Sequence, residues 1–189
     1  MYFTSFDAIP RHHYSTILAD CPWSYSDKMN DRASFSVVGQ YPTMRVPDIK
    51  ALPVADIATK DAVLFMWVTS PMLPVGLEVM QEWGFDFKTV AFCWTKQTAA
   101  GRDCVNLGRW TLGNVELCLL GARGKPQRVS RTVRQLVRAV REGHSVKPGE
   151  VRDRIRQLMG DGSAIELFAR GNPPVGWDAW GNEPNEAAQ

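Results

Sequence analysis

Apolar and polar positions alternate along this chain in two rhythms. Five stretches are apolar with little interruption: YSTILA (14–19), AVLFMWVT (62–69), FKTVAFCWTK (87–96), VELCLLGA (115–122) and SAIELFA (163–169). Short continuous runs of this kind, rich in β-branched and aromatic residues, predict buried strands, and AVLFMWVT is apolar on both faces, as in mid-sheet. Between them the spacing turns helical. SPMLPVGLEVMQEWGF (70–85) offers Ser70 as a cap, Pro71 in the first turn and Gly84 as the stop. KPGEVRDRIRQLMGDG (147–162) has Pro148 near its start, a stripe of Val151, Ile155, Leu158 and Met159, and glycines after it. Strands alternating with helices predict an α/β sheet with crossover connections. Residues 128–141 support two readings. A helical wheel puts Arg131, Arg134, Arg138 and Arg141 on one side and Val129, Val133, Leu136, Val137 and Val140 on the other, yet QLVRAV also reads as a strand. Residues 24–42 and 97–113 read as long loops, and the tail from 182 as frayed.

Length and composition narrow the class. A chain of 189 residues, 44% hydrophobic and 22% charged, suits one globular domain over 1–189. It has no apolar run of membrane-spanning length and no secretion pattern at its start, so a cytoplasmic protein without a membrane partner is expected. The four cysteines form no C-x-x-C pair; Cys104, Cys118 and His144 make a poor zinc spacing, so buried free thiols and no metal are expected. The net charge of +2 is small, but from Arg123 to Lys147 eight basic residues face one acid, Glu142. Such a strip is either a polyanion face or a solvated surface.

The first strand ends in Asp20-Cys21-Pro22-Trp23. In open α/β sheets ligands sit beyond the carboxyl ends of strands. There Asp20 is an acceptor, Cys21 is held extended by the following proline, and Trp23 offers a broad aromatic face. The Asp20 carboxylate and the Cys21 carbonyl could each take one N–H of an amine on a planar ring. An aromatic amine is a poor nucleophile, and holding both hydrogens out of the ring plane frees its lone pair. The carboxylate would also stabilise the developing positive charge. The same four residues are equally a plain turn with a buried tryptophan.

The tetrapeptide resembles motif IV of the amino-methyltransferases, and the blocks after it resemble the MT-A70 family of adenine-N6 methyltransferases in the family's order. These are YPTM (41–44), AVLFMWVTSPML, MQEWGFDFKTVAFCWTK, GRWTLGNVELCLLGARGKP (108–126), HSVKPGE (144–150), IELFAR (165–170) and GWDAWGNE (176–183). The resemblance implies a Rossmann-like methyltransferase fold dependent on S-adenosylmethionine: a mixed, mostly parallel sheet with helices on both faces. The motif order is circularly permuted, with the cofactor half formed by the C-terminus. It also implies a strand near 134–141.

By the same resemblance Asp20, Cys21, Pro22 and Trp23 are the catalytic tetrad, with Cys21 replacing the usual first proline. Tyr41 and Glu116 lie near the target base, and Trp110 and Arg141 also belong to the substrate side. Asp20, Lys147, Arg170, Asn172, Asn182 and Glu183 form the cofactor side: Lys147 matches a lysine on the methionyl carboxylate, and Asn182 with Glu183 matches an Asn-Gln pair on the ribose. The family has histidine and asparagine at the positions of Asn172 and Pro173. Trp67, Trp83 and Trp94 are expected in the core. The short chain resembles phage and bacterial members, which favours DNA over RNA as the nucleic acid. A non-catalytic nucleic-acid-binding partner, a homodimer and a second subunit remain alternatives.

Overall fold

The structure, a computed structural model, describes residues 1–24, 43–107, 110–141 and 146–181. Among the described residues, eight strands form one sheet: β1 (Tyr2–Phe3), β2 (Tyr14–Ala19), β3 (Ala58–Val68), β4 (Asp86–Gln97), β5 (Val115–Arg123), β6 (Leu136–Val140), β7 (Ala164–Leu167) and β8 (Trp177–Trp180). The α-helices of the described residues are α1 (Val46–Lys50), α2 (Val54–Ile57), α3 (Leu73–Glu82) and α4 (Glu150–Met159). The strand order is β1-β8-β7-β2-β3-β5-β4-β6. Only β5 runs against its neighbours, so the sheet is mixed and mostly parallel as expected.

Side-chain alternation explains why both faces are covered. On β3, Ala62, Leu64, Met66 and Val68 join Ile17, Ala19, Leu119, Ile165 and Leu167 in one core, which the α3 residues Val79 and Met80 complete. Val63, Phe65 and Trp67 point the other way, with Leu18, Phe92, Trp94, Cys118 and Ala164, and Val151 and Ile155 of α4 close that side. The continuous apolar runs thus serve two cores at once.

Several local expectations change. Ser70 does not cap α3: residues Ser70–Met72 form a separate 3-10 turn, and α3 starts after it with a proline in its first turn and no side-chain cap. Gly84 does end the segment, at φ +79°. The second helix contracts to α4, because Gly149 occupies its N-cap and Gly160 turns out of it at φ +81°. The helical wheel over 128–141 is overturned. Residues 136–140 form β6, parallel to β4 from Cys93↔Leu136 to Gln97↔Val140. Val137 is fully buried there, and Trp94 Nε1 donates to Ala139 O at 3.1 Å. The strand reading stands because the edge of β4 satisfies this backbone, which an isolated arginine-faced helix would not need. The short elements β1, β8, α1 and α2 carry no periodicity long enough to announce them.

The order of strands positions the site. The strand leading to Asp20, β2, lies between β3 and the C-terminal strand β7. The last strands of the chain therefore flank the first motif, as a permuted order requires.

Candidate active site

Period-two alternation carries the chemistry to one place. Asp20 follows the inward-facing Leu18, Lys96 follows Phe92 and Trp94, and Glu116 precedes Cys118 and Leu120, all on the α4 side of the sheet at the carboxyl ends of β2 and β4 and the start of β5. Glu116 stands opposite Trp94 in the β4–β5 register. The loop before α4 brings in Lys147. Its Nζ donates to Asp20 Oδ2 at 2.8 Å and lies 3.4 Å from Glu116 Oε2. Lys96 Nζ donates to Glu116 Oε1. The result is an alternating chain of charges, Asp20, Lys147, Glu116 and Lys96.

These groups are largely out of water: side-chain exposures are 20% for Asp20, 14% for Lys147, 12% for Glu116 and 15% for Lys96. For Glu116 and Lys147, burial opposes the charged form and pairing outweighs it. Burial pushes the Glu116 carboxyl up, but the Lys147 charge and the Lys96 hydrogen bond outweigh it and leave it below its ordinary value. Burial likewise pulls the Lys147 ammonium down, and Asp20 and Glu116 together leave it above its ordinary value. Lys147 also lies 5.8 Å from the centre of the Trp67 ring, and Lys96 lies 5.1 Å from that of Trp94. Trp67 Nε1 is buried without a hydrogen-bond partner among the described residues.

The turn after Asp20 is tightly held. Asp20 N–H reaches Leu167 O at 3.4 Å, tying the exit of β2 to β7. Trp23 N–H donates to Cys21 O at 2.9 Å, a three-residue turn centred on Pro22, whose fixed φ suits it. One lone pair of the Cys21 carbonyl stays available. Met44 N–H donates to Pro22 O at 2.8 Å, and Met44 bridges Trp23, so the chain is pinned on both sides of residues 25–42. Cys21 and Trp23 are buried. Burial, then the Asp20 charge, raises the Cys21 thiol well above its ordinary value.

The remaining predicted residues divide. Arg170 and Asn172 are exposed just after β7. Gly181 presses on that segment so closely that a Cβ would lie 2.3 Å from Ala169 O, and Ala169 N–H donates to Trp180 O at 2.9 Å. The ends of β7 and β8 thus converge. Asn182 and Glu183 lie outside the described residues, as does Tyr41. Arg141 is exposed at the end of β6, and Trp110 is exposed on the excursion between β4 and β5. Trp67, Trp83 and Trp94 are core residues as expected. Lys96 was not singled out from sequence, although its place two residues after Trp94 on a buried face marks it. A cleft of about 740 Å³, lined by Lys88, Val90, Phe92, Leu120, Pro126 and Leu158 among others, lies toward the other end of these strands and does not include Asp20.

The MT-A70 family model matches residues 14–183. The chain is 38% identical over 94% of its length to the "Type II methyltransferase M.MunI" of Mycoplasma sp, covering 81% of that protein. It is 30% identical over 91% of its length to the "N(6)-adenosine-methyltransferase MT-A70-like" protein of Arabidopsis thaliana, covering 24% of it. It is 26% identical over 90% of its length to the human "N(6)-adenosine-methyltransferase catalytic subunit METTL3", covering 28%. Against these two longer relatives the chain spans only about a quarter of the length.

Proposed function

We propose, for a chain that belongs to the MT-A70 family, the transfer of a methyl group from S-adenosylmethionine to the N6 amine of adenine in DNA. The observation that carries the reading is the buried pairing of Lys147 with Asp20, 2.8 Å apart, at the strand exit that begins the catalytic tetrad.

The donor set suits the cofactor's amino-acid end: Lys147 is a cation for its carboxylate, and Asp20 is an acceptor for its ammonium. Arg170, Asn172, Asn182 and Glu183 would complete the site around the converging ends of β7 and β8. When bound, S-adenosylmethionine supplies an electrophilic methyl group on a sulfonium.

The chain's own residues prepare the nucleophile. With the cofactor bound, Lys147 would hold its carboxylate in place of Asp20, and Glu116, paired with Lys96, would remain beside the Lys147 ammonium. Asp20 then accepts one N6–H and the Cys21 carbonyl the other. This favours a pyramidal nitrogen with an available lone pair, and the Asp20 anion stabilises the positive charge that grows as the N–C bond forms. The extra N6 proton is then released to water. Pro22 and Trp23, fixed by Met44, wall the clamp. Cysteine can replace the usual proline at position 21 because the contact is made by the main chain.

In a duplex the N6 amine lies within the stack, so the base must be turned out. Exposed Lys125, Arg128, Arg131, Arg134, Arg138 and Arg141 would hold phosphates. Arg123 is committed elsewhere, donating to Ala55 O at 2.7 Å. DNA is favoured by the higher identity to the Mycoplasma methyltransferase, 38% against 30% and 26% for the two adenosine methyltransferases.

The test is incubation with labelled S-adenosylmethionine and matched DNA and RNA, followed by mass spectrometry of the nucleosides. N6-methyladenine in DNA is expected. Higher turnover on RNA would replace DNA as the substrate. Absence of any binding heat with S-adenosylmethionine, with and without oligonucleotide, would overturn methyl transfer in favour of a binding module.

A further inference from the structure

We infer that Lys96 is a positioning residue for cofactor binding: by holding Glu116 it leaves Lys147 free to take the carboxylate of S-adenosylmethionine; this rests on the methyl-transfer reading above. Two carboxylates compete for the one ammonium of Lys147. Asp20 Oδ2 accepts from it at 2.8 Å, whereas Glu116 Oε2 stands off at 3.4 Å. Burial does not explain the difference, since Glu116 is the less exposed of the two, at 12% against 20%. The second partner does. Glu116 Oε1 accepts from Lys96, whereas Lys147 is the only cation paired with Asp20 among the described residues.

The fold sets Lys96 in place through its backbone. Lys96 follows Trp94 by two residues on β4, and Trp94 faces Glu116 across the β4–β5 ladder, so Lys96 and Glu116 are diagonal neighbours on one face. Lys96 N–H donates to Asn114 O at 3.0 Å, and Lys96 O accepts from Cys104 N–H at 2.8 Å, so the main chain is held from both sides. The ammonium is 15% exposed and lies 5.1 Å from the centre of the Trp94 ring. Its one ion pair among the described residues is with Glu116. Without Lys96, Glu116 would be a buried anion with Lys147 as its sole counter-charge. A buried charge that loses a partner is heavily penalised, so the Lys147 ammonium would be drawn onto Glu116 and away from Asp20, the side on which the cofactor carboxylate is to be held. The loss would fall on ligands that carry that carboxylate.

Calorimetry with S-adenosylmethionine and with decarboxylated S-adenosylmethionine tests this, because the two ligands differ only in the carboxylate. Wild type should prefer the first. Lys96→Met should weaken S-adenosylmethionine by about tenfold or more and leave the decarboxylated ligand within about twofold. Lys96→Gln keeps a donor for Glu116 but not the charge; it should shift the preference in the same direction, and it carries the test if Lys96→Met does not fold. The charge-balanced double variant, Lys96→Met with Glu116→Gln, should regain the preference, because no second anion then competes for Lys147. An equal loss for both ligands, an unchanged preference in the single variants, or a double variant without the preference overturns the role of Lys96. Wild type that binds both ligands equally well overturns it too and leaves methyl transfer standing. Wild type that gives no heat with either ligand, with and without oligonucleotide, removes the methyl-transfer reading and the role of Lys96 together.

Discussion

Lys147 stands 3.4 Å from Glu116 while its ammonium also donates to Asp20 at 2.8 Å, so one buried cation serves two carboxylates from different strands. The pair has opposite linkages to pH. Glu116 is held below its ordinary 4.5, so its contribution is present above that value and is lost as pH falls through the lower folded value. Lys147 is held above its ordinary 10.5, so its contribution is present below that value and is lost as pH rises through the higher folded value. Urea unfolding from pH 3 to pH 7 should show a loss of stability toward acid that Glu116→Gln flattens. The same variant should be less stable than wild type by roughly 2 kcal/mol at pH 7, because a hydrogen-bonded charge is lost beside two buried ammonium groups. An acid limb unchanged in Glu116→Gln would remove the carboxylate from this role.

Asp20 carries two duties in the proposed reaction, and a substitution separates them. Asp20→Ala should lower methyl transfer by about 10³-fold, the scale of a lost transition-state acceptor. Its effect on S-adenosylmethionine affinity should be smaller, about tenfold, because Lys147 and the ends of β7 and β8 remain. Single-turnover rates and calorimetry check the two quantities separately. Near wild-type turnover in Asp20→Ala would remove the amine clamp.

Much of this arrangement could be read from the residues because it follows from period two. The runs at 14–19, 62–69, 115–122 and 163–169 became β2, β3, β5 and β7, a charged residue at the end of a buried-facing strand marked Asp20, and Glu116 came from the family resemblance. The same rule marks Lys96, which is in step with Phe92 and Trp94, but its polarity reads as surface until Glu116 is known to lie across the ladder. The partner of Lys147 was not legible, because Asp20 is 127 positions away and only the crossover through α4 and β7 brings them together. Residues 128–141 supported two readings for a physical reason: an edge strand with one buried residue in two can carry arginines at helical spacing, and only pairing with β4 decides for the strand. The roles expected of Tyr41, Asn182 and Glu183 rest on resemblance alone, since they fall outside the described residues.

The cysteines should divide into two pairs by reactivity. Cys21 and Cys118 are buried, and burial first, then the Asp20 charge, raises both thiols well above their ordinary value. Cys93 and Cys104 are partly exposed. Because the thiolate is the reactive form, a disulfide reagent added to the native protein at pH 7 should label at most two thiols quickly and the other two only on unfolding. Cys21 is the informative one, since its main chain, not its sulfur, forms the clamp. Peptide mapping showing rapid labelling of Cys21 in the folded state would contradict the closed turn at Pro22.

Arg152 and Glu166 supply the fourth prediction, away from the chemistry but beneath it. Arg152 on α4 donates twice to Glu166 on β7, at 2.7 and 2.9 Å. Glu166 is buried, with residue exposure of 7%, on the face that α4 covers. This two-pronged bond seats α4 on β7, and α4 follows directly on the loop that presents Lys147. Removing one partner leaves an uncompensated charge, so Arg152→Met should cost roughly 3 kcal/mol. Replacing both with apolar residues of similar length, Arg152→Met with Glu166→Leu, should recover much of that loss, because the desolvation of the pair goes with it. Urea unfolding of the two single variants and the double variant forms a closed cycle that isolates the coupling. Additive losses across the cycle would mean that the pair does not act as a unit and that apolar packing of Val151 and Ile155 alone holds α4.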